Sequence, residues 1–259
     1  MAIIPARGGS KRIPRKNIRS FFGKPMIAYP IQAALDSNSF HTIVVSTDDE
    51  EIATIATKYG ASTPFLRSSE AASDFATLAD VISEVLDQFT KQQQFFDYFC
   101  CLLPTAPFVT GGQINAFRDV LLSSGADSVL PIVRFSYPIQ RALRTESGRL
   151  KMINPEYEQA RSNDLLPAYH DVGQFYWMRT QSFLEQRRLF ANHSIGIEIR
   201  ESQCQDIDSE EDWKIAELKY SLMLAQGVDC DSNKAMSADT EFECQLTDIK
   251  AIDETEAEA

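Results

Sequence analysis

Five cationic side chains and two glycines crowd into residues 7–16: Arg7, Gly8, Gly9, Lys11, Arg12, Arg15 and Lys16. Glycine lets backbone N–H groups turn towards a ligand, and Arg and Lys supply charge that offsets a polyphosphate. The apolar run Ala2-Ile3-Ile4-Pro5 leads into this loop. A strand, a glycine-containing loop and a helix in succession is how α/β proteins hold nucleotides. The loop has neither G-x-x-x-x-G-K-[ST] nor G-x-G-x-x-G, so it is not a Walker loop or a dinucleotide fingerprint. On composition alone, a solvated basic turn accounts for it equally well. The second concentration of chemistry is Asp206-Ile207-Asp208. On an extended chain both carboxylates fall on one side with Ile207 behind them. Two hard oxygen ligands beside a polyphosphate suit Mg²⁺, which keeps several waters. The same residues also read as a helix start, with Asp208 or Ser209 as N-cap and Glu211 or Asp212 following. The two readings coexist.

The elements that must position these residues alternate through the first 135 residues. After the loop, apolar residues at helical spacing follow Pro25, and Pro30 predicts a kink or a late helix start. Residues 42–47 are a β-branched run ending in Asp48-Asp49-Glu50-Glu51, which predicts a buried parallel strand meeting a helix N-terminus. That helix is closed by Gly60. An extended stretch at 62–66 precedes a long amphipathic helix ending near Phe89. Strands are expected at 97–103 and 128–133, with a helix at 114–122 between them. This pattern predicts a mostly parallel sheet with helices on both faces. From Arg134 to about residue 180 polar, aromatic and proline residues intersperse, which reads as a small antiparallel insertion able to cover the site and pair two subunits. A strand at 195–199 and a helix at 212–225 complete a domain of residues 1–226.

Composition narrows the function classes. The net charge is −12, and ten acidic residues against two lysines from Gly227 onward account for −8 of it. Residues 227–259 therefore read as an acidic, disordered tail. The remainder is mildly acidic, which argues against a nucleic-acid surface. No apolar run approaches the roughly 20 residues needed to span a bilayer. The apolar start runs straight into the basic loop, so no secretory signal is expected and a cytoplasmic location is. Five cysteines without C-x-x-C spacing support neither a disulfide framework nor a zinc site.

Ala6-Arg7-Gly8-Gly9-Ser10-Lys11-Arg12-Ile13-Pro14-Arg15-Lys16-Asn17 resembles the signature loop of the cytidylyltransferases that activate nonulosonic and related acidic sugars. These include the synthetases of CMP-sialic acid, CMP-pseudaminic acid and CMP-Kdo. Asp206-Ile207-Asp208-Ser209 with Asp212 is similar to the metal-binding segment of the same family. The resemblance implies a Rossmann-like nucleotide-diphospho-sugar transferase fold, a homodimer, CTP and an acidic nine-carbon sugar as substrates, and Mg²⁺ on Asp206 and Asp208. It implies that Arg7, Ser10 and Lys16 grip the triphosphate, with Ala6 and Gly8 in the loop backbone and Asn17 near the nucleoside. Arg67 and Thr77 match residues around cytosine and ribose; read without the family, they are a surface arginine and an N-cap hydroxyl. Arg161 resembles the arginine that meets the sugar carboxylate, and Tyr176 lies at the aromatic position beneath the sugar, although a tyrosine in an apolar strand is more often core. Leu103 stands where the sialic acid enzymes carry Gln, and His170 where they carry a second Arg. Those departures resemble the pseudaminic acid branch, whose products decorate surface structures such as flagellin. His170 also reads as a structural partner of Asp171. The alternatives are a synthetase of CMP-sialic or CMP-legionaminic acid and a non-catalytic nucleotide-sugar binder.

Overall fold

The β-branched and apolar runs of the sequence form a seven-stranded sheet with smaller ribbons at its rim. The computed structural model describes residues 1–227; the expected tail lies outside the described residues. In chain order the strands are β1 (Ala2–Pro5), β2 (Ser20–Phe21), β3 (Lys24–Pro25), β4 (Ile43–Ser46), β5 (Tyr98–Leu102), β6 (Ser128–Arg134), β7 (Leu143–Glu146), β8 (Arg149–Met152), β9 (Tyr169–Asp171), β10 (Phe175–Arg179) and β11 (Ser194–Glu198). The helices are α1 (Ala28–Ser37), α2 (Glu50–Lys58), α3 (Ser69–Ala72), α4 (Leu78–Lys91), α5 (Gly111–Ser124), α6 (Thr180–Gln186) and α7 (Glu210–Ala225).

Alternation along each central strand sorts its side chains between two cores. Ala2 and Ile4, Ile43 and Val45, and Cys100 and Leu102 face α1, α2 and α5, meeting Ile31, Ile52 and Phe117. Ile3, Val44, Phe99 and Cys101 face α4 and α6, meeting Ile82, Val85 and Phe183. The sheet order is β11-β6-β10-β5-β1-β4. β1 pairs in parallel with both β4 and β5. From β1 the chain crosses to β4 on one side, and from β5 it leaves towards β6 on the other. The crevice at the carboxyl ends of β1 and β5 is therefore the switch point where α/β sheets bind ligands.

Pro30 occupies the third position of α1, where its missing N–H has no intrahelical partner to lose, and the helix starts late, at Ala28. The stretch from Arg134 to residue 180 divides. The β7–β8 hairpin stands apart from the sheet, and β9 pairs antiparallel with β6 at its margin. β10 belongs instead to the centre of the sheet, antiparallel to both β5 and β6. Its residues Phe175, Tyr176, Trp177 and Met178 are all buried, as a strand covered on both faces requires. A third core joins α7 to the N-terminal ribbon: Trp213, Ala216, Tyr220 and Ile207 pack on Ile13, Phe21 and Met26.

Candidate active site

The loop after β1 is built around buried anchors. Ile13 is sunk in the third core, and buried Asn17 donates from Nδ2 to the Arg7 carbonyl at 3.0 Å. Between these anchors Arg7, Ser10, Lys11, Arg12 and Lys16 line a cleft of about 240 Å³. Asp206 and Asp208 line it from the opposite side, and Leu103, Pro104 and Thr105 from beyond β5. Lys16 Nζ donates to the Ile207 carbonyl and lies 3.5 Å from Asp208 Oδ1. Arg12 Nη2 donates to the same Asp208 oxygen at 2.7 Å. Cationic loop and carboxylate pair thus face each other across one cleft. Burial and the charge of Asp208 raise the Asp206 carboxyl above its usual range.

A second cleft, of about 230 Å³, adjoins the first through Pro5 and Arg7. Its walls include Arg67, Asp74 and Thr77. Arg67 is no surface arginine: it is 7% exposed. Its Nε donates to Ser46 Oγ at 3.0 Å and its Nη2 to the Ser46 carbonyl at 2.5 Å. Burial lowers its guanidinium pKa. Thr77 is the N-cap of α4; its hydroxyl accepts from the Asp80 N–H in a capping box. Its nearness to the cleft and its capping role coexist, as do those of the Asp206 segment, where Ser209 caps α7 with Asp212. Arg7 Nη1 donates to Asp74 Oδ1 at 3.0 Å, and Lys11 pairs with Asp74 Oδ2. The Lys11 contact and then the Arg7 charge hold the Asp74 carboxyl below its usual range.

Seven of the expected residues therefore meet in the first cleft (Arg7, Ser10, Lys16, Asn17, Leu103, Asp206 and Asp208), while Arg67 and Thr77 line the second with Arg7. Ala6 is wholly buried at the end of β1, and the Gly8 N–H donates to Asp48 Oδ1 at 2.8 Å. The residues expected around the sugar are dispersed. Tyr176 is core: β10 turns it towards the α4 and α6 layer, beside Phe190. Its hydroxyl donates to Asp171, and burial with that hydrogen bond raises its pKa. His170 is exposed on β9, its Nδ1 2.7 Å from the Asp171 carbonyl and its ring tilted against Phe135. Arg161 is exposed on the insertion, outside the lining of either cleft. Of this set, only Leu103 lines the first cleft. Lys11 and Arg12, read only as charges of the basic loop, also line the first cleft, and Thr105 and Asp74 join the site without having been singled out; Asp74 lies 67 residues from Arg7, and no local spacing signals such a contact.

Among the described residues no group of three or more His, Cys, Asp or Glu side chains could enclose a metal. Two carboxylates from one extended segment, open to a cleft, form a donor set that fits Mg²⁺ completed by water and substrate oxygens. They do not fit a closed structural zinc site. Cys100, Cys101 and Cys204 are buried free thiols, and burial pushes Cys101 up to about 12. No helix among the described residues is long and apolar enough to cross a membrane.

The profile of the cytidylyltransferase family matches residues 1–246, and the chain belongs to that family. Pseudaminic acid cytidylyltransferase of Campylobacter jejuni (strain 81-176) is 39% identical over 223 residues, 86% of this chain and 96% of that protein. CMP-N,N'-diacetyllegionaminic acid synthase of Legionella pneumophila is 34% identical over 226 residues, 84% of this chain and 94% of that one. Among solved structures, CMP:2-keto-3-deoxy-manno-octonic acid synthetase complexed with CTP superposes with a TM-score of 0.61 at 16% identity, covering 87% of this chain and 98% of that one. This likeness extends to the fold.

Proposed function

We propose that the chain transfers CMP from CTP to the anomeric hydroxyl of pseudaminic acid, releasing pyrophosphate, and that it does so in the cytoplasm as a Mg²⁺-dependent homodimer. The observation that carries the reading is the cleft in which Arg7, Ser10, Lys11, Arg12 and Lys16 face Asp206 and Asp208. The identity of 39% to an enzyme named for pseudaminic acid supports the choice of sugar. So does Leu103 in the cleft wall, which favours a sugar with fewer hydroxyls over one needing a hydrogen bond there.

In this reading the sugar oxygen attacks the α-phosphorus in line with the departing pyrophosphate. The new P–O bond forms as the bond to the β-phosphate's bridging oxygen breaks; pyrophosphate leaves with that electron pair, and the proton of the attacking hydroxyl passes to water. Little covalent work falls to the protein; positioning and charge neutralisation dominate. Arg7 and Lys16 bind the leaving phosphates, Arg67 and Thr77 border the nucleoside, and Asp206 and Asp208 would hold Mg²⁺, which supplies further positive charge to the phosphate oxygens. The homodimer rests on the insertion, which exposes Tyr137, Leu143, Leu150, Ile153 and Leu166. The test is pyrophosphate release from CTP and Mg²⁺ with pseudaminic, legionaminic and N-acetylneuraminic acids in parallel. Pseudaminic acid is expected to give the highest kcat/KM. Preference for another sugar would overturn the substrate and keep the reaction, and CTP binding with no release would favour a nucleotide-sugar binder.

A further inference from the structure

The phosphate-binding loop is fastened from outside the cleft. Arg15 has φ +55° and ψ 29°, a left-handed conformation that costs a non-glycine residue free energy and persists only where surroundings impose it. Its carbonyl accepts the N–H groups of Ile18 and Arg19, and its side chain is held by groups at the start of α2. Arg15 Nη1 pairs with Asp49 Oδ2, Nη2 lies 3.2 Å from Asp49 Oδ1, and Nη2 also pairs with Glu51. Asp49 Oδ1 in turn accepts the N–H groups of Glu51 and Ile52 at 3.0 Å each, capping α2. The loop also packs directly on this carboxylate. A Cβ added to Gly8 would stand 2.7 Å from Asp49 Oδ2, while the Gly8 N–H is held by Asp48. Neither Arg15 nor Asp49 lines the clefts.

We propose that Asp49 is a positioning residue for nucleotide binding: through Arg15 and its packing on Gly8 it holds the loop in the shape that presents Ser10 and Lys16 to the phosphates. The inference rests on the proposed binding of CTP. One carboxylate thus serves two elements: its Oδ1 caps a helix, and both oxygens clamp a guanidinium whose backbone would otherwise relax out of the left-handed region. Contact with Arg15 holds the Asp49 carboxyl below its usual range, in keeping with a permanently charged clamp.

The two duties separate by substitution. Asn is as good an N-cap as Asp, so Asp49→Asn preserves α2 and removes the charge that grips Arg15. Arg15→Gln releases the clamp from the other side without touching the cap. Binding of CTP to the full chain is measured by titration calorimetry, with steady-state pyrophosphate release and thermal melting alongside. Each variant is expected to weaken CTP binding roughly tenfold, the scale of one lost charged hydrogen bond. The loss should appear in KM for CTP with kcat nearly unchanged, and the double variant should bind CTP no more weakly than either single one. Affinities within twofold of wild type, additive losses in the double variant, or a fall in kcat and melting temperature without a change in CTP affinity would each overturn the clamp. Failure of the wild type to bind CTP would overturn the proposed function itself.

Discussion

Arg67→Met separates a strut from a ligand. The side chain is 7% exposed and makes two hydrogen bonds to Ser46, at 3.0 and 2.5 Å. Bonds of a charged donor are worth about 1.5–3 kcal/mol each, which suggests a severe loss. Two effects reduce it. Removing a buried guanidinium also removes its desolvation cost, of the order of several kcal/mol. The Ser46 carbonyl, moreover, keeps the Ala6 N–H at 2.9 Å, so only Ser46 Oγ is orphaned, at about 1–3 kcal/mol. The net expectation is a loss of about 1–3 kcal/mol, or roughly 3–10 °C in melting temperature for a domain of this size. Because Arg67 also lines the second cleft, KM for CTP should rise at least tenfold, the scale of one charged hydrogen bond to the nucleotide. Thermal melting and initial rates against CTP concentration read the two effects separately. A melting temperature that falls while KM stays within twofold would make Arg67 a strut only, and refute its part in binding.

Other perturbations test the remaining groups. Asp208→Asn breaks only partly exposed ion pairs to Arg12 and Lys16, worth about 0–1 kcal/mol, so melting should scarcely move. Turnover should nevertheless fall about 10²–10³-fold, corresponding to roughly 3–4 kcal/mol of lost charge stabilisation; a near-wild-type rate at saturating Mg²⁺ would end the metal assignment. The raised Asp206 carboxyl makes ionised Asp206 a cost to the metal-free fold. That cost is absent below the unfolded carboxyl range and present above the raised one. Asp206→Asn should therefore raise the metal-free melting temperature at neutral pH, with the gain vanishing on acidification, while turnover is lost. Thr77→Ala removes the α4 cap and should cost about 1 kcal/mol, with Thr77→Ser retaining it in the same melting assay. Asp74 competes with phosphate for Arg7 and Lys11, so Asp74→Asn should lower KM for CTP by up to about fivefold, the limit for exposed pairs, and less in high salt.

Legibility followed the range of the interactions. β1 and β4 were readable because a strand covered on both faces is a continuous apolar run, and α7 because Ser209 and Asp212 form its capping box. The loop and the Asp206 segment were readable as chemistry because their residues are consecutive. β10 was harder: Phe175 to Met178 read as a strand, but its place between β5 and β6 depends on partners 73 and 48 residues away, Leu102 to Phe175 and Val129 to Trp177. The same distance effect hid Asp74 and the double duty of Asp49. Tyr176 is buried because strand alternation, not its aromatic character, decided which core it faces. Arg67 looked like a surface residue because nothing local shows that the chain folds it under Ser46.

The link between Lys16 and Ile207 joins residues 191 apart, and that between Arg12 and Asp208 residues 196 apart. At a translation rate of roughly 5–20 residues per second, about 10–40 s separate the synthesis of the two halves. During that interval the cationic loop leaves the ribosome without its carboxylate counterpart. A chain truncated before residue 206 would keep the means of attracting polyanions without the pair of carboxylates that completes the cleft.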